Sequence, residues 1–396
     1  MLQILDNPLH WAWAEEADFS AFRAVLADLG YTPQNVAADL GLSKVDDLYP
    51  LDYRLLPALV ERLEKIDGPC AAACRLLLLG LPVEADQLTR SIFPGALKFL
   101  INSGLVFEQG GMLHALLSIV PFEDLVIVAD KLFMNADPEA RIEGLSSDNA
   151  VWRIDKTTLI MAKALFRKPW ERALDLGCGS GVLALLAAKK SEQVTGADIN
   201  PRAVNVAQFN ARLNGISNCN FMACDLYREL AGQKYDYIFS NPPSAPGLVK
   251  AWNREGGGSG REIVEASLNG AAEYLNYDGI FQSTVHLGYV KDEDIAQWAG
   301  SFLPRNLFRT LIVKHAETWD AETYALNEAF QKAGSRDFPA YQRAYQMYKT
   351  GLQANRIEQI TFAMLTSKRT KGAGGIEVLQ ADLHGGDWPT LLDPFL

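Results

Sequence analysis

The sequence predicts an α/β fold: an open, mostly parallel sheet with helices on both faces, preceded by a mostly helical, winged-helix-like segment. Three observations predict it. From Leu174 onward, short apolar strands alternate with helix-like stretches, and such alternation builds parallel sheets covered on both faces. A glycine run, Gly177-Cys178-Gly179-Ser180-Gly181, sits where the first of these strands gives way to a helix. Before about residue 138 the pattern differs, with short helices followed by a Gly110-Gly111 turn between apolar runs.

Phe19 to Leu29 has helical apolar spacing and ends at Gly30, and Leu55 to Ile66 ends at the breaker Asp67-Gly68-Pro69. Cys70 to Leu79, Val83 to Phe93 and Leu97 to Asn102 read as three more helices. The runs flanking Gly110-Gly111 then read as a hairpin. In the second part, strands are predicted at Ala173–Leu176, Val194–Ile199, Asn220–Cys224, Tyr235–Ser240 and Gly279–His286. Helices separate them, one opening at Asn200-Pro201 with proline in its first turn. Leu307–Lys314 and Gln359–Ser367 are late strands flanking a helical stretch, Ala321–Gln353, and Ile376–Gln380 is a further strand candidate. This divides 396 residues into a domain at 1–138 and a domain at 139–396, the latter with a helical insertion at about 320–355.

Bulk properties narrow the function classes. Hydrophobic residues make up 48% of the chain, enough for sizeable cores, and the net charge is −11. Nucleic-acid readers carry a basic footprint. Here the third helix of the winged pattern, Pro94 to Gly104, has only Lys98, so no DNA partner is expected. Homodimer formation or substrate selection is the expected use of the segment. Five scattered cysteines, without His or a second Cys pair at zinc spacing, read as free thiols in a reducing compartment with no metal. The N-terminus lacks a signal-peptide pattern and no apolar run reaches a bilayer span. A cytoplasmic protein without membrane partners is expected.

The chemistry is carried by four strand ends. Glycines at 177 and 179 let the backbone turn tightly against a ligand, and the helix that follows offers free N–H groups. The G-x-G-x-G spacing, with Cys178 inside it, is not the G-x-G-x-x-G of dinucleotide folds. Asp175, just before it, can hold an ammonium group, which the methionine part of S-adenosylmethionine has and a dinucleotide lacks. Asp198, followed by Ile199, ends the next strand about 20 residues on, where a carboxylate accepts from both ribose hydroxyls. Asp225 after the third strand can accept from an adenine amino group, with Leu226 against the ring. At the end of the fourth strand stand Ser240-Asn241-Pro242-Pro243-Ser244.

With these four features in order, Trp152 to His286 resembles the class I amino-methyltransferases that carry an Asn-Pro-Pro-aromatic motif. Relatives include enzymes that methylate glutamine in release factors and others that methylate exocyclic amines in RNA or DNA. The resemblance implies a Rossmann-like, seven-stranded sheet. It implies S-adenosyl-L-methionine as cofactor and S-adenosyl-L-homocysteine as product, with Asn241 beside both cofactor and acceptor. It extends to Gly256-Gly257-Gly258-Ser259-Gly260-Arg261-Glu262, similar to that family's glycine-rich loop. A planar –NH₂ is a poor nucleophile because its lone pair is delocalised. The Asn241 side-chain oxygen and the Pro242 carbonyl can each accept one of its hydrogens and favour pyramidalisation, while Pro242 and Pro243 stiffen the turn. The chain departs from the family at Ser244, where relatives carry Tyr or Phe, and serine cannot stack on a flat target. That departure and the acidic charge point to N-methylation of a small molecule. The alternatives are a protein (glutamine) or RNA acceptor selected by the N-terminal domain, or a non-catalytic cofactor-binding regulator. Trp152, Trp252 and Tyr289 are candidates for the missing wall. Asp155 reads as a helix cap or a cofactor neighbour, Tyr341, Tyr345 and Tyr348 as packing, and His286 and His315 as structural.

Overall fold

The structure is a computed structural model. It describes residues 16–48, 55–89, 94–131, 150–151, 153–246, 259–290, 293–333, 338–372 and 374–392. Its contacts divide the chain into two units. One comprises Met1–Leu159, Cys178–Ala188 and Asn200–Ala223; the other comprises Ile160–Gly177, Lys189–Ile199 and Cys224–Leu396.

The first unit opens with helices Glu16–Asp28, Pro33–Leu40 and Leu56–Glu64. Thr32 caps the second, its hydroxyl accepting from the Asn35 N–H at 3.3 Å, and Gly41 closes it at φ 70°. The apolar run from Cys70 is not one regular helix: Pro69–Ala73 is α-helical and Cys74–Leu78 is a π-helical turn. Strand β1 (Val83–Glu84) precedes helices Ala85–Thr89 and Pro94–Asn102. β2 (Val106–Gln109) and β3 (Met112–Ala115) then pair around Gly110-Gly111, in the sheet order β1-β3-β2. A second hairpin follows, β4 (Ser118–Phe122) and β5 (Leu125–Ala129).

Side-chain amides satisfy the backbone of β5. Asn210, on helix Pro201–Leu213, and Asn214, its C-cap, lie one turn apart. Asn210 accepts from the Val128 N–H at 2.8 Å and donates to its carbonyl at 2.9 Å; Asn214 does the same with Val126 at 2.8 and 2.8 Å. A carboxamide offers the donor and acceptor of a peptide, so two asparagines take the place of a neighbouring strand. Beside them Arg202 forms a buried bidentate pair with Asp130, at 2.8 and 2.5 Å. Phe19 packs edge-on against both Phe99 and Phe209, at 5.2 and 5.3 Å between centroids.

The second unit carries β6 (Arg172–Leu176) and β7 (Gln193–Asp198). β8 (Cys219–Ala223) falls in the first unit. The second then resumes with β9 (Tyr235–Ser240), β10 (Leu275–Val290), β11 (Phe308–Asp320), β12 (Ile357–Arg369) and β13 (Gly375–Ala381). The sheet is mixed and has eight strands, of which the seven in this unit run β13-β11-β12-β10-β9-β6-β7. β7, β6, β9 and β10 are parallel, β12 is antiparallel to both neighbours, and β13 adds parallel to β11. Eight strands replace the seven expected. The eighth is β13, a largely exposed edge strand that contains the candidate segment Ile376–Gln380. Tyr237, Ile238, Phe239 and Phe281 are fully buried, and Trp170 stacks on Tyr237 at 5.2 Å. The insertion is a helical hairpin, Ala321–Ala333 and Phe338–Ala354, between β11 and β12. Tyr324, Tyr348 and Leu352 form its core, with Tyr341 and Tyr345 packed against it. Among the described residues, no helix is long and apolar enough to cross a membrane.

Candidate active site

The order of the parallel strands reverses at β6: β7 lies on one side, β9 and β10 on the other. In open α/β sheets, ligands bind outside the carboxyl ends of the strands at such a switch point. Leu176 and Ser240 are register partners there, and the Ser240 hydroxyl donates to the Leu176 carbonyl at 2.7 Å. The chain leaving β6 at Gly177 and the Asn-Pro-Pro turn leaving β9 therefore start side by side.

Asp175 stands on β6 with its side chain 1% exposed. Burial, with Asp175 adding to it, holds the Tyr237 phenol well above its usual range. A carboxylate in that setting favours a cationic ligand over an anionic one. Gly177 has φ 72°, donates its N–H to the Ala197 carbonyl at 2.7 Å, and has nothing within 4 Å of the place a Cβ would take. The open space fits a ligand that approaches the main chain. Cys178–Gly181, in the first unit, continues the turn. Cys178 is buried and Gly179 (φ 53°) again faces open space. Gly181 (φ 81°) does not: a Cβ there would lie 2.9 Å from that of Ala207. The third glycine thus serves helix packing. Asn210 of the same unit fixes the turn by donating to the Ser180 carbonyl at 2.8 Å.

Asp198 ends β7 half-buried, and Ile199 beside it is 39% exposed, unusual for so apolar a side chain. The following helix is capped by Asn200, whose side chain accepts from the Arg202 N–H at 3.0 Å. Capping is therefore not the work of Asp198. Its carbonyl accepts from the Cys224 N–H at 2.9 Å, bringing the Asp225-Leu226 turn to the end of β7. Asp225 is exposed, and Leu226 has φ 53°, a conformation non-glycine residues adopt only under constraint. Burial, then a hydrogen bond with Glu229, pushes the Cys224 thiol up to about 11. The same thiol contact is the main cause holding Glu229 below the usual carboxylate range.

Asn241 is half-buried, Pro242 buried, Pro243 half-buried and Ser244 buried. The Thr284 hydroxyl donates to Asn241 Oδ1 at 2.5 Å. The Ser244 hydroxyl oxygen accepts from the His286 main-chain N–H at 3.1 Å and lies 3.0 Å from that ring's Nδ1. The sequence gives no sign of Thr284, and His286 reads from it as structural. The separations, 43 and 42 residues, leave no linear signal. Gly260 (φ 76°) belongs to the turn's support: a Cβ there would lie 2.4 Å from the Ser244 carbonyl oxygen. Arg261, next to it, pairs with Glu293 at 2.6 Å and lies over Trp298.

Asp155 caps the helix Lys156–Ala164, accepting from the Thr158 N–H at 2.9 Å and from both threonine hydroxyls. Tyr289 lies beneath Lys314, 5.5 Å from the ring, and burial pushes its phenol up to about 12. Trp152, Trp252 and Gly256 to Gly258 lie outside the described residues. His315 accepts at Nδ1 from the Leu383 N–H at 3.2 Å. Among the described residues Asp39, Cys70 and Cys74 bring potential ligand atoms within 4.8 Å of one another, a grouping that cysteine spacing alone does not reveal.

Comparison with known proteins agrees with this geometry. Residues 145–290 match the methyltransferase small domain. Over 140 residues, 33% of this chain, the sequence is 31% identical to a candidate protein N5-glutamine methyltransferase of Methanocaldococcus jannaschii, covering 70% of that protein. It is 31% identical over 249 residues, 58% of this chain, to the release factor glutamine methyltransferase of Xylella fastidiosa, covering 83%. It is 33% identical over 147 residues, 33% of this chain, to that of Geobacter sulfurreducens, of which it spans about half, 51%. Relatives matched over most of their length, and a site whose strand ends carry the expected residues, lead to one family: the chain belongs to the class I S-adenosylmethionine-dependent methyltransferases of the Asn-Pro-Pro amino-methyltransferase type.

Proposed function

We propose that this enzyme N-methylates the side-chain amide of a glutamine in a protein, with residues 1–138, read as a winged-helix-like domain, selecting the protein. The observation that carries the reading is the Asn241-Pro242-Pro243 turn at the sheet's switch point, its amide oxygen already oriented by Thr284. The relatives' names favour this acceptor over the small molecule suggested by Ser244. The net charge of −11 weighs against RNA.

S-adenosylmethionine, when bound, supplies an electrophilic methyl group on a sulfonium. Asp175, Gly177, Cys178 and Gly179 are assigned to its methionine part. Asp198 and Ile199 are assigned to its ribose, and Asp225 and Leu226 to its adenine. Asn241 Oδ1 and the Pro242 carbonyl accept the two hydrogens of the acceptor amide and point its nitrogen lone pair at the methyl. Pro243 and Ser244 hold the turn. Bound S-adenosylmethionine would give up its methyl group and leave as the neutral thioether S-adenosylhomocysteine, while the amide nitrogen would gain the methyl and release one proton to solvent.

The test is direct. Purified enzyme, methyl-labelled cofactor and unmethylated bacterial release factor are incubated, and the peptides are sequenced by mass spectrometry. Label on a glutamine amide is expected. Label confined to RNA or to small molecules in a parallel extract assay would sink the protein reading.

A further inference from the structure

Two side-chain contacts bind opposite ends of the Asn-Pro-Pro-Ser turn to the same strand. Thr284 holds Asn241 at the first position, and His286 holds Ser244 at the last. Residues two apart on a strand project to one face, so Thr284 and His286 stand next to each other on β10, facing the turn. One hydroxyl grips both the main chain and the ring of His286, at 3.1 and 3.0 Å, which fixes the orientation of the imidazole. Phe362, its register partner on β12, supports the ring edge-on at 5.1 Å and 65°. Thr284 and Ser244 are buried, whereas His286 is only half-buried. His286, like Asn241, thus still reaches solvent.

We infer that the imidazole of His286, clamped by Ser244, is the flat wall of the methyl-acceptor site and a specificity-determining residue for a planar amide. The inference rests on the glutamine reading above. Two in-plane acceptors leave a planar –NH₂ free to tilt out of plane. A third, flat surface removes that freedom and holds the nitrogen in line with the methyl group. Ser244 is too small to be that surface, and its hydroxyl is spent on orienting a ring that can be. The wall is therefore contributed from β10 rather than from the motif itself.

The experiment compares wild type, His286→Ala, His286→Phe, Ser244→Ala and the double variant His286→Ala/Ser244→Tyr. Each is incubated with labelled S-adenosylmethionine and extract from cells lacking the enzyme. Label is counted separately in protein, RNA and small molecules, and S-adenosylhomocysteine affinity and melting temperature are measured alongside. His286→Ala should lose about 10- to 100-fold in acceptor kcat/KM, the scale of misplacing a substrate by an ångström. Cofactor affinity should stay within about twofold, since the wall touches only the acceptor. His286→Phe keeps a flat face and should stay within about fivefold of wild type, on the scale of one aromatic contact. Ser244→Ala should fall between the two, and the double variant should regain part of the loss. Equal rates in wild type and His286→Ala, or loss of cofactor binding in step with rate, would overturn the inference, as would no label from wild type in any fraction. Label outside protein with this variant order intact would overturn the glutamine reading and leave the wall standing.

Discussion

At the residue scale, the reaction depends on groups that act at different stages, and their substitution should separate. Asn241 is assigned to an acceptor nitrogen whose charge changes only as the methyl arrives, so its interaction strengthens toward the transition state. Asn241→Ala should lower kcat by about 10²–10³-fold, the scale of removing one preorganised polar contact. S-adenosylhomocysteine affinity by calorimetry should change much less. A variant as fast as wild type would refute the clamp. Asp198 should behave oppositely. With the helix cap supplied by Asn200, Asp198→Ala should weaken cofactor binding by roughly 1.5–3 kcal/mol, the usual range for hydrogen bonds to a charged group, without unfolding the helix. Unchanged affinity removes Asp198 from the site. Both residues were legible in the sequence because each ends a strand at a motif position. Thr284 and His286 were not, because their meaning lies in strand register: β10 pairs with β9 and β12 so that both side chains arrive under a turn more than 40 residues away.

At the element scale, the parallel half of the sheet was readable almost residue for residue, since short buried strands between glycine and proline breakers leave few alternatives. The longest strands were found but not bounded. β10 runs for 16 residues and β11 and β12 for 13 each, well beyond their apolar segments. Their outer ends are stabilised by pairing, as in Thr318 with Thr361 and Trp319 with Ile360. Polar residues there carry no burial signal. The glycine-rich loop before helix Glu262–Tyr274 is marked in the sequence by resemblance alone, whereas in the structure Gly260 closes against the backbone of Ser244 and Pro246. Any side chain would combine a left-handed backbone with a main-chain clash. Gly260→Ala should therefore cost about 1–3 kcal/mol, the scale of a strained conformation, and should also displace the Asn-Pro-Pro turn. A lower melting temperature together with a fall in kcat is expected. Wild-type values for both would show that the loop relaxes freely.

At the scale of the whole molecule, the least legible feature is how the N-terminal segment is held. The pattern of elements in the sequence sets residues 1–138 apart as a separate domain. In the structure β5 and Asp130 are bound within one unit to helix Pro201–Leu213, a stretch the sequence reads only as part of the α/β pattern. Asn210 and Asn214 look like ordinary helix-surface amides until the strand they satisfy is in place. The strongest test of that attachment is the Arg202–Asp130 pair, whose side chains are 4% and 8% exposed. Removing one partner of a buried ion pair leaves an uncompensated charge and costs about 3–5 kcal/mol, whereas replacing the pair by neutral groups of similar size is often near neutral. Asp130 also accepts from the Val151 N–H at 2.7 Å, so the replacement must keep an acceptor. Arg202→Met alone should lose about 3–5 kcal/mol in urea unfolding monitored by fluorescence, by the same reasoning. Adding Asp130→Asn removes the stranded charge while keeping an oxygen for Val151, and the double variant should recover more than half of that loss. If Arg202→Met costs under about 1 kcal/mol, the value of an exposed pair, the ion pair does not anchor the segment. If the double variant is no more stable than Arg202→Met, the loss is one of packing around the guanidinium rather than of a charge left in the core.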